Sequence, residues 1–110
     1  MARVLRTREI RWAHLPEPYG RRPVCVLTRD AALGVLGRAT VAPITSVIRS
    51  IPSEVLVGSD EGLEIPSVIS CDNVLTIDIH RLGDEAVGFL GVAKRRQLDR
   101  ALRYALAIRG

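Results

Sequence analysis

Gly20-Arg21-Arg22-Pro23-Val24-Cys25-Val26-Leu27-Thr28-Arg29-Asp30 holds an apolar run, opened by a proline, that begins directly after two arginines. Residues 23–28 are apolar almost throughout, the pattern of a strand covered on both faces and therefore central in its sheet. Pro23 suits the first residue of such a strand, where a missing N–H is tolerated. One charge at the mouth of a buried strand is an ordinary solvated end. Two adjacent guanidinium groups present planar, permanently charged forks that match the oxygens of a phosphate.

Outward from this strand the chain reads as more strands. Residues 9–15, E-I-R-W-A-H-L, alternate as a half-buried strand, and P-E-P-Y-G after them is a loop. Residues 29–38 form a connector with room for a helical turn. A-T-V-A-P-I-T-S-V-I (39–48) is a third strand, which Pro43 assigns to a sheet edge or a bulge. Short strands follow at 54–57, 67–71, 74–78 and 86–90, with a turn at 58–63 and a break at Asp72-Asn73. The last segment, 92–108, places Leu98, Ala101, Leu102, Ala105 and Leu106 at helical spacing, so an amphipathic helix packs that face inward. Many short strands and one terminal helix predict a mainly β fold, a small bent barrel or sheet closed by the C-terminal helix. At 110 residues the chain reads as a single domain, 1–110.

The formal charge is +4, and it is unevenly spread: residues 1–22 and 94–110 are basic, whereas 23–93 are acidic on balance. Basic ends attract nucleic acid or an acidic protein, although 15 arginines against one lysine also fit a compositional bias. Cys25 and Cys71 lie in apolar stretches without metal-ligand spacing, which predicts reduced, buried thiols. With no signal-peptide pattern and no membrane-length apolar run, the expected location is the cytoplasm. Neither a nucleotide-binding glycine motif nor a metal-spaced cluster occurs, so no metal and no cofactor is expected. The two histidines, His14 and His80, read as partly exposed strand residues.

Three interruptions of apolar runs carry polar chemistry. Arg21 and Arg22 precede a strand; Thr45 and Ser46 follow Pro43; Asp72 and Asn73 split another run. Taken singly, these are a loop charge, edge hydroxyls and a turn. All three fall at strand ends of one small domain, where together they could bind an oxyanion and supply a carboxylate.

E-I-R-W-A-H-L with G-R-R-P-V-C-V-L-T-R-D, then V-A-P-I-T-S-V-I-R-S-I-P-S-E-V, then S-V-I-S-C-D-N-V-L-T-I-D-I-H-R-L-G resemble, in this order, the MazF/PemK (Kid) family of toxins. The resemblance spans about residues 8–108. It implies a small SH3-like barrel of the MazF/Kid/CcdB type that works as a homodimer. It also implies a metal-independent endoribonuclease that cuts single-stranded RNA, often mRNA. The 2′-hydroxyl attacks, leaving a 2′,3′-cyclic phosphate and a 5′-hydroxyl. Carried over by position, Arg22 and Thr45 are catalytic and Asp72 is the proposed general base. Arg21, Ser46, Arg49, Ser70 and Asn73 are the expected RNA contacts. The chain departs from the Kid branch at Ser70, where that branch has arginine, and in its short first loop, which lacks a histidine before Arg22-Pro23. The implied partner is an antitoxin with a disordered acidic tail. The alternatives are a gyrase-directed toxin of the CcdB type, which has the same fold, and a degenerate relative that only binds RNA or antitoxin. Strands 39–48 and 67–77 and part of the terminal helix are the candidate dimer face.

Overall fold

The computed structural model describes residues 4–109; the first three residues of the basic N-terminal stretch, and Gly110, lie outside them. The elements are β1 (Glu9–His14), β2 (Arg21–Val26), α1 (Asp30–Leu36), β3 (Arg38–Thr45), β4 (Glu54–Val57), β5 (Ser67–Ser70), β6 (Leu75–Asp78), β7 (Gly88–Phe89) and α2 (Val92–Ala105). Short 3-10 turns occupy Ser59–Glu61, Cys71–Asn73 and Ile79–Arg81. The strands form one antiparallel sheet in the order β4-β5-β3-β2-β1-β7, with β6 also paired to β3. The mainly β architecture with a C-terminal helix is the one expected from the sequence. No helix among the described residues is long and apolar enough to cross a membrane.

β2 is central and buried on both faces. Cys25 points into one apolar cluster with Ile10, Ile44, Ile69 and Leu98, and Val24 and Val26 point into a second with Ala13, Leu33, Val41 and Ile77. The strand starts at Arg21, two residues earlier than the sequence predicts, and Pro23 therefore lies inside it, opposite Trp12. β3 corrects a second expectation. Pro43 is fully buried in a central strand, not at an edge. The reason is a fork: β3 pairs with β6 from Arg38 to Val41 and with β5 at Ile44 and Thr45. Pro43 falls in the gap between the two partners, where a missing N–H removes no rung from either ladder.

α2 begins just after the edge strand β7 and packs on the other edge strand, β4, where Lys94 Nζ donates to the Leu56 carbonyl. Leu98 and Ala101 are buried, and Leu102 and Ala105 are partly so. Leu106, predicted to share that face, is exposed because the helix has ended at Ala105. On the far side of the sheet, α1 buries Ala32 and Leu33 and ends at Gly37 in the left-handed conformation.

Candidate active site

The antiparallel register assembles the site. Val24 faces Pro43 across β2 and β3, and continuing that register by two residues sets Arg22 against Thr45. No ladder forms there, so the strands part and their side chains border an opening. Two clefts meet at this pair. One, of about 420 Å³, is lined by Trp12, Arg21, Arg22, Pro23, Ile44, Thr45, Ser46, Leu63, Glu64, Ile65 and Ser67, among others. The second, of about 350 Å³, is lined by Tyr19, Arg22, Pro43, Thr45, Val47, Arg49, Ser70 and Asn73, with Pro18. Arg22 and Thr45 belong to both and form the ridge between them.

Arg22 is half-buried and held from one side. Its Nε donates to the Tyr19 carbonyl at 3.0 Å, and its guanidinium carbon lies 5.6 Å from the Tyr19 ring centroid. No protein group among the described residues accepts a hydrogen bond from its two terminal amino groups. The short loop 15–20 makes this grip: Leu15 N–H donates to the Gly20 carbonyl and Tyr19 N–H to that of Pro16, which brings Tyr19 back over the strand. Thr45 Oγ1 accepts from the Val47 N–H at 3.2 Å, a local turn bond that orients the oxygen and leaves its proton to donate elsewhere.

The remaining expected residues divide between the clefts. Arg21 and Ser46 border the larger one, and Arg21 stacks its guanidinium 4.3 Å from the Trp12 ring centroid. Arg49, Ser70 and Asn73 border the smaller one, where Asn73 Nδ2 donates to Ser70 Oγ at 2.8 Å. The Arg49 loop is tied down by Glu54, whose carboxylate accepts from the backbone N–H groups of Arg49 and Ser50.

Asp72 is placed differently. It is the middle residue of the Cys71–Asn73 turn, lines neither cleft, and its carboxylate accepts from Ser53 Oγ at 2.5 Å. Among the described residues, the one carboxylate lining either cleft is Glu64. His14 and His80 are exposed and line neither cleft. The thiols stay protonated at neutral pH: burial pushes Cys25 up to about 12, and burial with the neighbouring Asp72 charge pushes Cys71 up to about 11. No group of three His, Cys, Asp or Glu side chains among the described residues is placed to hold a metal ion.

Sequence reasoning missed Trp12, Glu64, Leu63 and Ile65 as walls of the larger cleft. The 62–65 segment reaches the site because the chain crosses β7 at two glycines. A Cβ at Gly62 would strike the Val87 carbonyl, and one at Gly88 would strike that of Glu61. The paired glycines Gly62 and Gly88 were the only local signal of that approach.

Residues 6–106 match the family model described as the PemK-like, MazF-like toxin of type II toxin-antitoxin system. A curated relative from Mycobacterium tuberculosis, named endoribonuclease MazF3, is 39% identical over 92 residues, covering 84% of this chain and 88% of its own. Among solved structures, the Mycobacterium tuberculosis toxin MazF-mt6 superposes with a TM-score of 0.86 at 38% identity, over 94% of this chain and all of that one. An endoribonuclease in complex with its cognate antitoxin, from a mycobacterial species, shares the fold at a TM-score of 0.83 and 20% identity, over 96% and 98% of the two chains.

Proposed function

Since this chain belongs to the PemK-like, MazF-like toxins of type II toxin–antitoxin systems, we propose that it is an endoribonuclease cutting single-stranded RNA at a phosphate seated on the Arg22–Thr45 ridge. The observation that carries this reading is the ridge itself. A guanidinium with both terminal amino groups unengaged and an oriented hydroxyl stand side by side between two clefts, each with room for one base.

The chemistry needs little beyond this. The 2′-oxygen of the nucleotide before the cut attacks phosphorus, the bond from phosphorus to the 5′-oxygen breaks, and a 2′,3′-cyclic phosphate remains. Arg22 neutralises charge developing on the non-bridging oxygens, and Thr45 donates to one of them. The 2′-hydroxyl proton passes to a base and the leaving 5′-oxygen takes one from solvent. Arg22 is not the proton donor, because guanidinium releases its proton only above about pH 12. We assign Asp72 a positioning role, since its bond to Ser53 holds the turn that carries Asn73. Glu64 on the cleft wall is better placed to accept the 2′-hydroxyl proton. Arg21 and Arg49 contact flanking phosphates, while Ser46, Ser70 and Asn73 read base edges. No metal or cofactor takes part in this scheme.

Inhibition of translation through mRNA cleavage, a homodimeric assembly, a cytoplasmic location and neutralisation by a cognate antitoxin belong to the same proposal. A disordered acidic tail would find complementary charge on a chain with a net charge of +4. The test is cleavage of a long single-stranded RNA in EDTA with end-group analysis. Cyclic-phosphate ends from the wild type, lost in Arg22→Ala, are the expected result. A folded wild type that leaves RNA intact would favour a non-nuclease toxin.

A further inference from the structure

The two clefts on either side of the ridge differ in chemistry. The smaller sets an amide, a serine hydroxyl and Arg49 beside Tyr19, Val47 and two prolines. The larger is walled by the indole of Trp12 and by Leu63 and Ile65. Trp12 projects from the middle of β1, opposite Pro23, and is 40% exposed although its strand neighbours Arg11 and Ala13 are buried. Ile65 is 58% exposed on the same wall. Ordered apolar surface left open beside a phosphate-binding ridge calls for a flat, apolar-faced group attached to that phosphate.

We propose that the Trp12 cleft is a stacking subsite for one nucleobase next to the scissile phosphate, and that the Ser70–Asn73 cleft takes the base on the opposite side. This rests on the ribonuclease reading above. Arg21, stacked 4.3 Å from the indole centroid, leaves the ring already paired with a cation on one side. A base arriving against this assembly gains stacking on the indole or on the guanidinium plane, and both contacts tolerate any base. Ser46 borders the same cleft and can bond to a base edge. The Trp12 cleft therefore combines sequence-tolerant stacking with a hydrogen bond from Ser46, whereas Ser70 and Asn73 read the base on the other side of the cut.

The chain contains one tryptophan, so indole fluorescence reports on this cleft alone. Cut sites are first mapped on a long RNA with the wild type. A short RNA spanning a mapped site is then made with 2′-deoxyribose before the cut, which removes the attacking hydroxyl, and bound to the wild-type protein. The subsite predicts quenching of Trp12 at saturation. An abasic residue on one side of the cut abolishes the quenching; on the other side it leaves the quenching intact. In cleavage assays Trp12→Ala lowers kcat/KM about tenfold or more, and Trp12→Phe recovers most of it. Asn73→Ala relaxes base choice on the opposite side of the cut. Binding detected by anisotropy without any change in fluorescence would overturn the subsite while leaving the nuclease reading standing; a second copy or a protein partner seated on Trp12 would give that result. Equal quenching loss from both abasic positions would also overturn it. Absence of RNA cleavage by the wild type would overturn both proposals.

Discussion

Two arginines on neighbouring strands, Arg11 on β1 and Arg22 on β2, occupy opposite situations. Arg11 faces Val24 across the ladder and Arg22 faces Ala13, so only two rungs separate them. Arg11 is 4% exposed; its Nε donates to Glu9 at 2.8 Å and its terminal amino groups to the carbonyls of Gly83 and Val4. Every nitrogen of that guanidinium has a protein acceptor. Arg22 gives its Nε to one carbonyl and keeps both terminal groups toward the clefts. The residue type is the same and the neighbourhood decides the role. A saturated arginine holds a fold together, whereas an arginine oriented at one nitrogen and open at the others can bind an anion.

The largest effect expected from this contrast is on stability. Arg11→Met leaves the Glu9 carboxylate buried without its partner and should cost about 3–5 kcal/mol in urea unfolding. Replacing Glu9 with Leu in the same chain should restore most of the loss, because an apolar pair substitutes well for a buried ion pair. If Arg11→Met were as stable as the wild type but lost RNA cleavage, the division between the two arginines would be wrong. Next comes Arg22→Ala, which should lower the cleavage rate about 10²–10³-fold with little change in the unfolding midpoint. Arg22→Lys should recover only part of the activity, since an ammonium keeps the charge but not the fork.

A smaller effect tests the core on the other face of β2, through Cys25 and through Cys71 in the turn beside the smaller cleft. Both thiols are pushed up in the folded protein, to about 12 and about 11, from an ordinary value of 9.0. Above pH 9 the unfolded chain releases protons that the folded chain retains. Stability should therefore fall as pH rises from 9 toward 11 and should gain nothing from these groups below pH 9. Urea midpoints at pH 8 and pH 10 measure it, and Cys25→Ala should flatten the slope. The smallest effect concerns a third arginine. Arg8 pairs with Asp99 at 3.3 Å, and Asp99 is mostly exposed. Asp99→Ala should cost at most about 1 kcal/mol. A larger loss would mean that exposure is a poor guide to which arginines are structural.

The same contrast shows where sequence reading succeeds. An unbroken apolar run marked β2 as buried on both faces, and helical spacing marked Leu98, Ala101, Leu102 and Ala105 as the inner face of α2. Those signals are local and periodic. Arg11 carries no such signal: strand alternation cannot say that its acceptors will be carbonyls at residues 4 and 83. Pro43 read as the mark of an edge or a bulge because a proline costs a rung in any strand with a single pair of partners, and the fork in β3 appears only once β5 and β6 are in place. Asp72 read as a carboxylate awaiting use, but its partner Ser53 is 19 residues away in the chain.

What the sequence determined by itself was the succession of strands along the chain, the terminal helix, and the arrival of Arg22 at the start of β2, since burial periodicity acts over a few residues. Only the tertiary structure decided which polar groups remain open. That depends on contacts between distant segments: Tyr19 folding back on Arg22, Ser53 engaging Asp72, and the glycine crossing at Gly62 and Gly88 that carries Leu63 and Ile65 to the wall facing Trp12.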